Sequence, residues 1–156
     1  MPVMKWLFII IFIAVIAGCN TNESVLEPAG TPNNDINLMK ISKENRLDQH
    51  ISNQAKDSMR KYAEITTAKA VNTDQKMLMA VEVDHNERFN LAKIRNQLQK
   101  EIEEQFSHIT VEFSTDKKII IELDKLEKQI QKDSTYSPQK LEKELDKLTG
   151  LSKEQT

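Results

Sequence analysis

The chain has 156 residues, of which 22 are basic and 24 are acidic, and its formal net charge is −2. This length supports one small domain with appendages rather than two full domains, and the charge balance gives no basic footprint for nucleic acid. The three glycines, Gly18, Gly30 and Gly150, are too few for a phosphate-binding glycine-rich loop. The single cysteine, Cys19, excludes an internal disulfide and a zinc site built on paired cysteines.

The N-terminal segment has the pattern of a secretory signal peptide. Lys5 precedes an unbroken apolar run over residues 6–16, and small residues follow it. With those small residues the run is about 13 residues long, whereas a helix that spans a bilayer needs roughly 17–25. The sequence Ile16-Ala17-Gly18-Cys19 resembles the lipobox of bacterial lipoproteins. We therefore predict a lipoprotein signal peptide over residues 1–18 and a diacylglycerol on the sulfur of Cys19.

Two other interpretations of this segment are an uncleaved anchor helix and a buried cysteine without a role. The position of the lone cysteine directly after the small residues favours lipidation. Two acyl chains give stable attachment, because each buried CH₂ group contributes about 0.8 kcal/mol. The mature chain would then be held on the outer face of the cell membrane.

Residues 19–45 comprise the predicted lipidated cysteine and a flexible linker. The segment is rich in Asn, Thr, Ser, Glu and Pro, and such a composition buries too little apolar surface to offset the entropy of ordering. A short apolar patch near its end either docks on the domain or moves with the linker; it contains Ile36, Leu38, Met39 and Ile41.

Hydrophobic periodicity predicts an α+β domain over residues 46–132. In chain order we expect a helix over 46–64, strands over 65–71 and 76–84, a helix over 88–106, a strand over 109–113 and a helix over 117–131. The short polar turn between the first two strands predicts a hairpin. The helix before the third strand predicts a parallel pair reached by a crossover. The expected result is a small mixed three-stranded sheet with the helices packed on one face.

Residues 133–156 are predicted to form an additional amphipathic helix and a tail. Ser137 is a typical N-cap, Pro138 suits the first helical position, and Gly150 lies where the helix would stop. One face carries an apolar stripe of Leu141, Leu145 and Leu148. This stripe either packs on the domain or pairs with a partner helix or a second copy of the chain.

Two features together resemble the sporulation lipoproteins of the YhcN/YlaJ family from endospore-forming bacteria. One is the lipobox at Cys19. The other is a pattern of strands and turns within residues 47–131, namely Ala68-Lys69-Ala70-Val71, Met79-Ala80-Val81-Glu82-Val83, Asp84-His85-Asn86-Glu87-Arg88-Phe89 and Val111-Glu112-Phe113-Ser114-Thr115-Asp116-Lys117-Lys118. The resemblance implies a membrane-anchored lipoprotein of the cell membrane or inner spore membrane, with a role in spore formation, germination or outgrowth. It implies no established enzymatic activity.

The residues themselves show little catalytic or metal-binding patterning. His50, His85 and His108 lie in different predicted elements without ligand spacing, so we expect no metal. His85 has a functional interpretation as a base oriented by a carboxylate, and a simpler one as part of a solvated turn before a helix, which we favour. Met77 and Met79 suggest either a copper site or core packing, and core packing is favoured. We expect no cofactor.

The function expected from these observations is that of a non-enzymatic lipoprotein that mediates protein contacts. The alternative is an enzyme acting on cell-wall polymer or a spore component, with its site near His85. A solute-binding lipoprotein is a third class, but such proteins need two lobes around a cleft, for which the chain is too short.

Overall fold

A computed structural model describes residues 36–41 and 47–154 and contains a four-stranded mixed sheet with helices on both faces. The predicted signal peptide and Cys19 lie outside the described residues. The elements are β1 Asn37–Leu38, α1 His50–Ser58, β2 Ile65–Asn72, β3 Lys76–Val83, α2 Leu91–Gln105, β4 Thr110–Ser114, α3 Lys117–Lys132 and α4 Pro138–Glu154, with 3₁₀ helices at Met59–Lys61 and His85–Asn90.

The strand order is β1-β2-β3-β4. Strands β2 and β3 pair antiparallel, and the backbone N–H of Thr73 donates to the carbonyl of Lys76 at 2.8 Å in the turn between them. Strands β3 and β4 pair parallel, with Met79 opposite Phe113, and α2 makes the connection. The predicted α+β class, the hairpin and the parallel pair are therefore confirmed.

Helices cover both faces of the sheet, in contrast to the predicted arrangement on one face. Residues 77–81 of β3 are all buried and apolar. Since successive side chains of a strand point to opposite faces, both faces of β3 are apolar and each must be covered. Met77 and Met79 lie in the core on one face, as the packing interpretation predicted, and Leu78 lies in the core on the other.

Each face of the sheet has its own hydrophobic core. The first core joins the sheet to α1 and α2, and its helical members are Ala55, Met59, Leu98 and Ile102. The second core joins the sheet to α3 and α4, and its helical members are Ile119, Ile120, Leu123, Leu126, Ile130, Leu141, Leu145 and Leu148. The sheet is thus the middle layer between two helical layers.

The folded region begins earlier than the composition predicts. Residues 36–41 were expected in the linker, but β1 pairs parallel with β2 and adds a fourth strand to the predicted three. Ile36 is buried in the first core and Ile41 in the second. Burial of each of these side chains contributes about 1.5–3 kcal/mol against the entropy cost of ordering this mainly apolar segment. The side chain of Asn53 also holds both backbone groups of Ile41, at 3.1 and 2.8 Å.

Two predicted helices are shorter than their apolar periodicity suggests. Helix α1 begins at His50, whose N–H donates to the carboxylate of Asp48 at 2.8 Å, and gives way to a 3₁₀ helix after Ser58. The helix predicted from residue 88 begins as the 3₁₀ helix His85–Asn90 and becomes α-helical only at Leu91. Polar groups close to the backbone compete with the helical hydrogen bonds at these positions.

Helix α4 extends past the predicted stop at Gly150 and ends at Glu154. A glycine ends a helix by adopting a positive φ, and no glycine among the described residues has one. Ser152, one turn beyond the buried Leu148, is itself buried, so the helix continues along the surface of the second core.

Candidate functional site

The predicted lipidation residue, Cys19, lies outside the described residues, so its lipidation stays a prediction. Across residues 36–41 and 47–154, the helices are too short or too polar to span a bilayer.

His85 lies in an exposed turn stabilised by capping interactions. The carboxylate of Asp84 accepts the N–H of Asn86 at 2.9 Å, and the carboxylate of Glu87 accepts the side-chain N–H of Asn90 at 3.0 Å. These two acids thus hold the turn by hydrogen bonds to neighbouring residues. This is the capped, solvated turn that we favoured for His85.

The other predicted histidines occupy separate places in the fold. His50 is the first residue of α1, His108 lies between α2 and β4, and both are exposed. In the part of the chain that the structure describes, no three His, Cys, Asp or Glu side chains form a group that could hold a metal ion.

The most unusual chemistry of the domain is a buried network of charges. Nζ of Lys56 on α1 lies 2.8 Å from Oε1 of Glu127 on α3, and both side chains are 0% exposed. Lys69 on β2 lies 2.8 Å from Oδ1 of Asp124 and 3.6 Å from Oε2 of Glu127. The network therefore connects two helices and a strand between the two helical layers.

This network supplies two further hydrogen bonds at one sheet edge. Strand β1 pairs with only two residues of β2, Thr67 and Ala68. Beyond them, the carboxylate of Glu127 accepts the backbone N–H of Ala70 at 3.2 Å, and Lys56 donates to the carbonyl of Met39. An unpaired backbone group buried at this edge would be costly. The charged side chains therefore take the place of a longer edge strand.

A neutral polar cluster continues the same edge. The side-chain oxygen of Gln49 accepts the N–H of Asn72 at 3.1 Å, and the Gln49 amide donates to the carbonyl of Asn72 at 2.6 Å. The side-chain oxygen of Asn72 accepts the N–H of Ser52 at 3.0 Å. These side chains bond to buried backbone groups of the neighbouring element, and the bonds hold α1 against the end of β2.

Burial dominates the acid–base chemistry of the central pair. It lowers the pKa of Lys56 and raises the pKa of Glu127, although the attraction between the two charges opposes both shifts. For Asp124, burial alone would raise the pKa, but hydrogen bonds from Lys128 and Lys69 outweigh it and lower the pKa. The desolvation cost of burying charge is therefore largest at Lys56 and Glu127.

Sequence reasoning missed this network, although one feature pointed to it. Lys69 lies between Ala68 and Ala70 in a predicted strand, and the residues next to it in the chain are apolar. A lysine in such a strand must be paired if it is buried. Its partners lie more than fifty residues away on α3, and no local pattern identifies them.

A cleft of about 280 Å³ lies beside the start of α4. It is lined by residues 47–49 before α1, residues 72–75 at the β2–β3 turn, and Pro138, Leu141 and Glu142 of α4. Asp48, Asp74 and Glu142 place three carboxylates in this lining, which contains no basic residue. Glu142 is already paired with Lys76 at 3.6 Å, so Asp48 and Asp74 are the carboxylates that suit the cleft to a positively charged group.

The leucine stripe of the C-terminal helix packs on the domain. Leu141, Leu145 and Leu148 are at most 5% exposed and belong to the second core. Lys76 at the start of β3 forms ion pairs with Asp146 and, at 3.6 Å, with Glu142. The first of the two alternatives for the stripe is thus confirmed, and the outward side of α4 is charged.

The chain was also compared with known proteins. Searches against protein-family models, curated proteins and solved structures found no match.

Proposed function

We propose that the protein is a lipid-anchored, non-enzymatic lipoprotein on the outer face of the cell membrane, and that its domain mediates protein contacts during spore formation, germination or outgrowth. The observation that carries this proposal is the lipobox ending at Cys19, followed after a short polar segment by a folded domain that includes Ile36. An anchor joined to a small domain by a short tether is the organisation of a surface-displayed binding module.

The arrangement of the charged residues supports a binding rather than a catalytic role. The buried charges at Lys56, Lys69 and Glu127 hold a sheet edge and face one another. His85, the residue of the enzymatic alternative, lies on an exposed turn whose neighbouring acids are engaged in capping.

The cleft beside α4 is the surface that we propose for protein contact. Its carboxylates at Asp48 and Asp74 favour a basic segment of a partner. The exposed residues Pro138 and Glu142 of α4 line the cleft, so a partner bound there would contact this helix through its polar side and not through the packed leucine stripe.

The sporulation role rests on the resemblance to the YhcN/YlaJ family and is tested by localisation. We expect an immunoblot of membrane fractions to detect the protein in sporulating cells and in the inner membrane of purified spores, and not in growing cells. Equal amounts in growing cells would remove the sporulation role and leave a general surface lipoprotein.

Cys19→Ala is expected to abolish membrane attachment of the folded domain. The substitution removes the sulfur that carries the diacylglycerol, while the residues that form the two cores are unchanged. The measurement is metabolic labelling with a fatty acid, together with fractionation of membranes. Ser24→Ala, five residues further along the same segment, is the matched control and should be labelled like the parent. A Cys19→Ala protein that is processed and retained like the control would overturn the anchor.

A photo-crosslinking residue at Gln75 is expected to capture a protein partner in membranes of sporulating cells. Gln75 is exposed and lines the cleft, so a partner in the cleft lies within reach of its side chain. Gln129 on α3 is also exposed but lies outside that lining, and a crosslinker there is the control. Asp74→Lys should reduce the adduct at position 75. Equal adducts at both positions, or an adduct that Asp74→Lys leaves unchanged, would contradict this use of the cleft.

A further inference from the structure

Phe89 is held in solvent by an ordered turn. Its side chain is 101% exposed, and the other large apolar side chain that is exposed in the described residues is Ile121 at 47%. The turn is fixed by the hydrogen bond from Asn86 to Asp84 and by the one from Asn90 to Glu87. A fully exposed aromatic ring on a fixed backbone forgoes the gain from burial in the protein and is available to another surface.

A basic segment begins beside this ring. Between Arg88 and Lys100 the chain has four basic side chains, at Arg88, Lys93, Arg95 and Lys100, and no acidic one, although the whole chain has a slight acidic excess. The nearest acids on either side are engaged: Glu87 accepts a hydrogen bond from Asn90, and Glu101 accepts hydrogen bonds from Lys61 and Tyr62. Lys100 is itself paired with Glu104 at 3.8 Å and Arg95 is half-buried, so the positive charge beside the exposed ring comes mainly from Arg88 and Lys93.

The charges and the ring lie along one side of the helix. On α2, Lys93, Gln97 and Lys100 are spaced by four and three residues, so they share a face, and all three are exposed. Phe89 lies about one turn before Lys93. The opposite side of α2 carries Leu98 and Ile102 in the first core. Lys93, Gln97 and Lys100 thus form an outward face of α2, and Phe89 is exposed in the 3₁₀ helix at its N-terminal end.

We propose that this face, which we call the α2 face, docks on a lipid bilayer that carries anionic headgroups. An aromatic ring next to lysines is the composition that favours the bilayer interface, where the ring enters the acyl boundary and the ammonium groups remain at the headgroups. A soluble anionic polymer would pair with the lysines but leave Phe89 in water. A neutral apolar groove on a protein would bind Phe89 without using the lysines.

The docking is an orientation of the domain and rests on the lipid anchor of the proposed function. One ring and a few lysines bind a membrane weakly by themselves, but a tethered domain experiences a high effective concentration of membrane. Each cation near an anionic surface strengthens binding on the order of fivefold. The α2 face would then lie against the membrane, while α3 and α4 on the opposite face of the sheet would point away from it.

The test uses the processed lipoprotein with an indole placed at the proposed contact. The one tryptophan of the chain, Trp6, lies in the predicted signal peptide and is lost on processing, so Phe89→Trp alone gives a single reporter. The protein is reconstituted into vesicles of phosphatidylcholine alone or mixed with phosphatidylglycerol, each with and without brominated acyl chains that quench indole fluorescence. We expect a shift to shorter wavelength and quenching in the phosphatidylglycerol vesicles, and a loss of both in phosphatidylcholine alone.

Matched variants separate the α2 face from the rest of the surface. Ile121→Trp places the indole at an exposed site on α3, and it should stay in water in both kinds of vesicle. Lys93→Glu with Lys100→Glu should abolish quenching at position 89, whereas Lys143→Glu with Lys147→Glu, at exposed lysines of α4, should not. Raising the salt from 0.1 to 1 M shortens the screening length from about 10 to about 3 Å and should weaken the contact.

The outcomes distinguish this proposal from the anchor. Protein that floats with the vesicles while the indole at position 89 stays in water retains the anchor and overturns the docking. Equal quenching at position 89 in both vesicle compositions, or quenching that survives Lys93→Glu with Lys100→Glu, overturns the role of anionic headgroups. A shift to shorter wavelength at position 89 that appears only after another protein is added, without quenching by the brominated chains, assigns the α2 face to a protein partner and overturns the proposal. Protein that floats with neither kind of vesicle overturns both the anchor and the docking.

Discussion

Glu127→Gln is expected to lower the free energy of unfolding by about 3 kcal/mol, because removal of one partner leaves a buried charge without compensation. The ammonium of Lys56 lies 2.8 Å from Glu127, and neither side chain is exposed. Glutamine keeps an oxygen that can accept the N–H of Ala70, so the substitution removes the charge and preserves most of the shape. Urea unfolding followed by circular dichroism measures the change.

A second pair of variants isolates the interaction between the two charges. Adding Lys56→Met to Glu127→Gln should recover part of the lost stability, since no unpaired ammonium is then buried at that position. Glu122→Gln is the exposed control: Glu122 pairs with Lys125 at 2.7 Å on the surface of α3, and its loss should change stability by less than about 0.5 kcal/mol. An equal effect of Glu127→Gln and Glu122→Gln would contradict a buried, coupled pair.

Leu145→Ala is expected to lower the free energy of unfolding by about 3 kcal/mol, as other fully buried leucines do when truncated to alanine. Leu145 is 0% exposed and lies in the second core, between the leucines one turn before and one turn after it on α4. Its loss opens a cavity between α4 and the sheet, which the close packing around it fills only in part. The same unfolding measurement applies.

Ile121→Ala is the matched control for the leucine. Ile121 is an apolar residue of similar volume on α3, but it is 47% exposed. Its truncation should cost less than about 1 kcal/mol, because half of its surface already contacts water. Equal effects of the two truncations would show that α4 is not packed on the domain, and would return its leucine stripe to the role of a partner-binding surface.

The elements with strong local patterning were predictable from the chain. The hairpin follows from two apolar strands around a polar turn, and α4 follows from Ser137, whose hydroxyl accepts the N–H of Lys140 at 3.2 Å. The apolar positions of α3, called helical despite three consecutive isoleucines, are buried at helical spacing. In each case a few neighbouring residues determine the secondary structure, so the hydrophobic period and the capping residues are enough to predict it.

Other features needed the tertiary structure because they join residues that are distant in the chain. Strand β1 is only two residues long. Its segment is held by burial of Ile36 and Ile41 and by the hydrogen bonds from Asn53 to the backbone of Ile41. The composition of the surrounding residues assigned this segment to the linker. The helices cover both faces of the sheet because β3 carries apolar side chains on both of its sides. The sequence already contains these residues, but we expected only three strands, with the helices on one face. The exposure of Phe89 was equally hidden, since an aromatic residue in a sequence is by default a candidate for the core.

Local composition and period were enough to predict the fold class, the order of the main elements and an anchor at Cys19. The covered sides of the sheet, the fourth strand and the pairing of the buried charges depend on contacts between distant parts of the chain. The pair of Lys56 and Glu127 shows why. A lysine and a glutamate 71 positions apart resemble any other surface charges in the sequence. Only the packing of α1 and α3 around an incomplete sheet edge removes both from water and makes each necessary to the other.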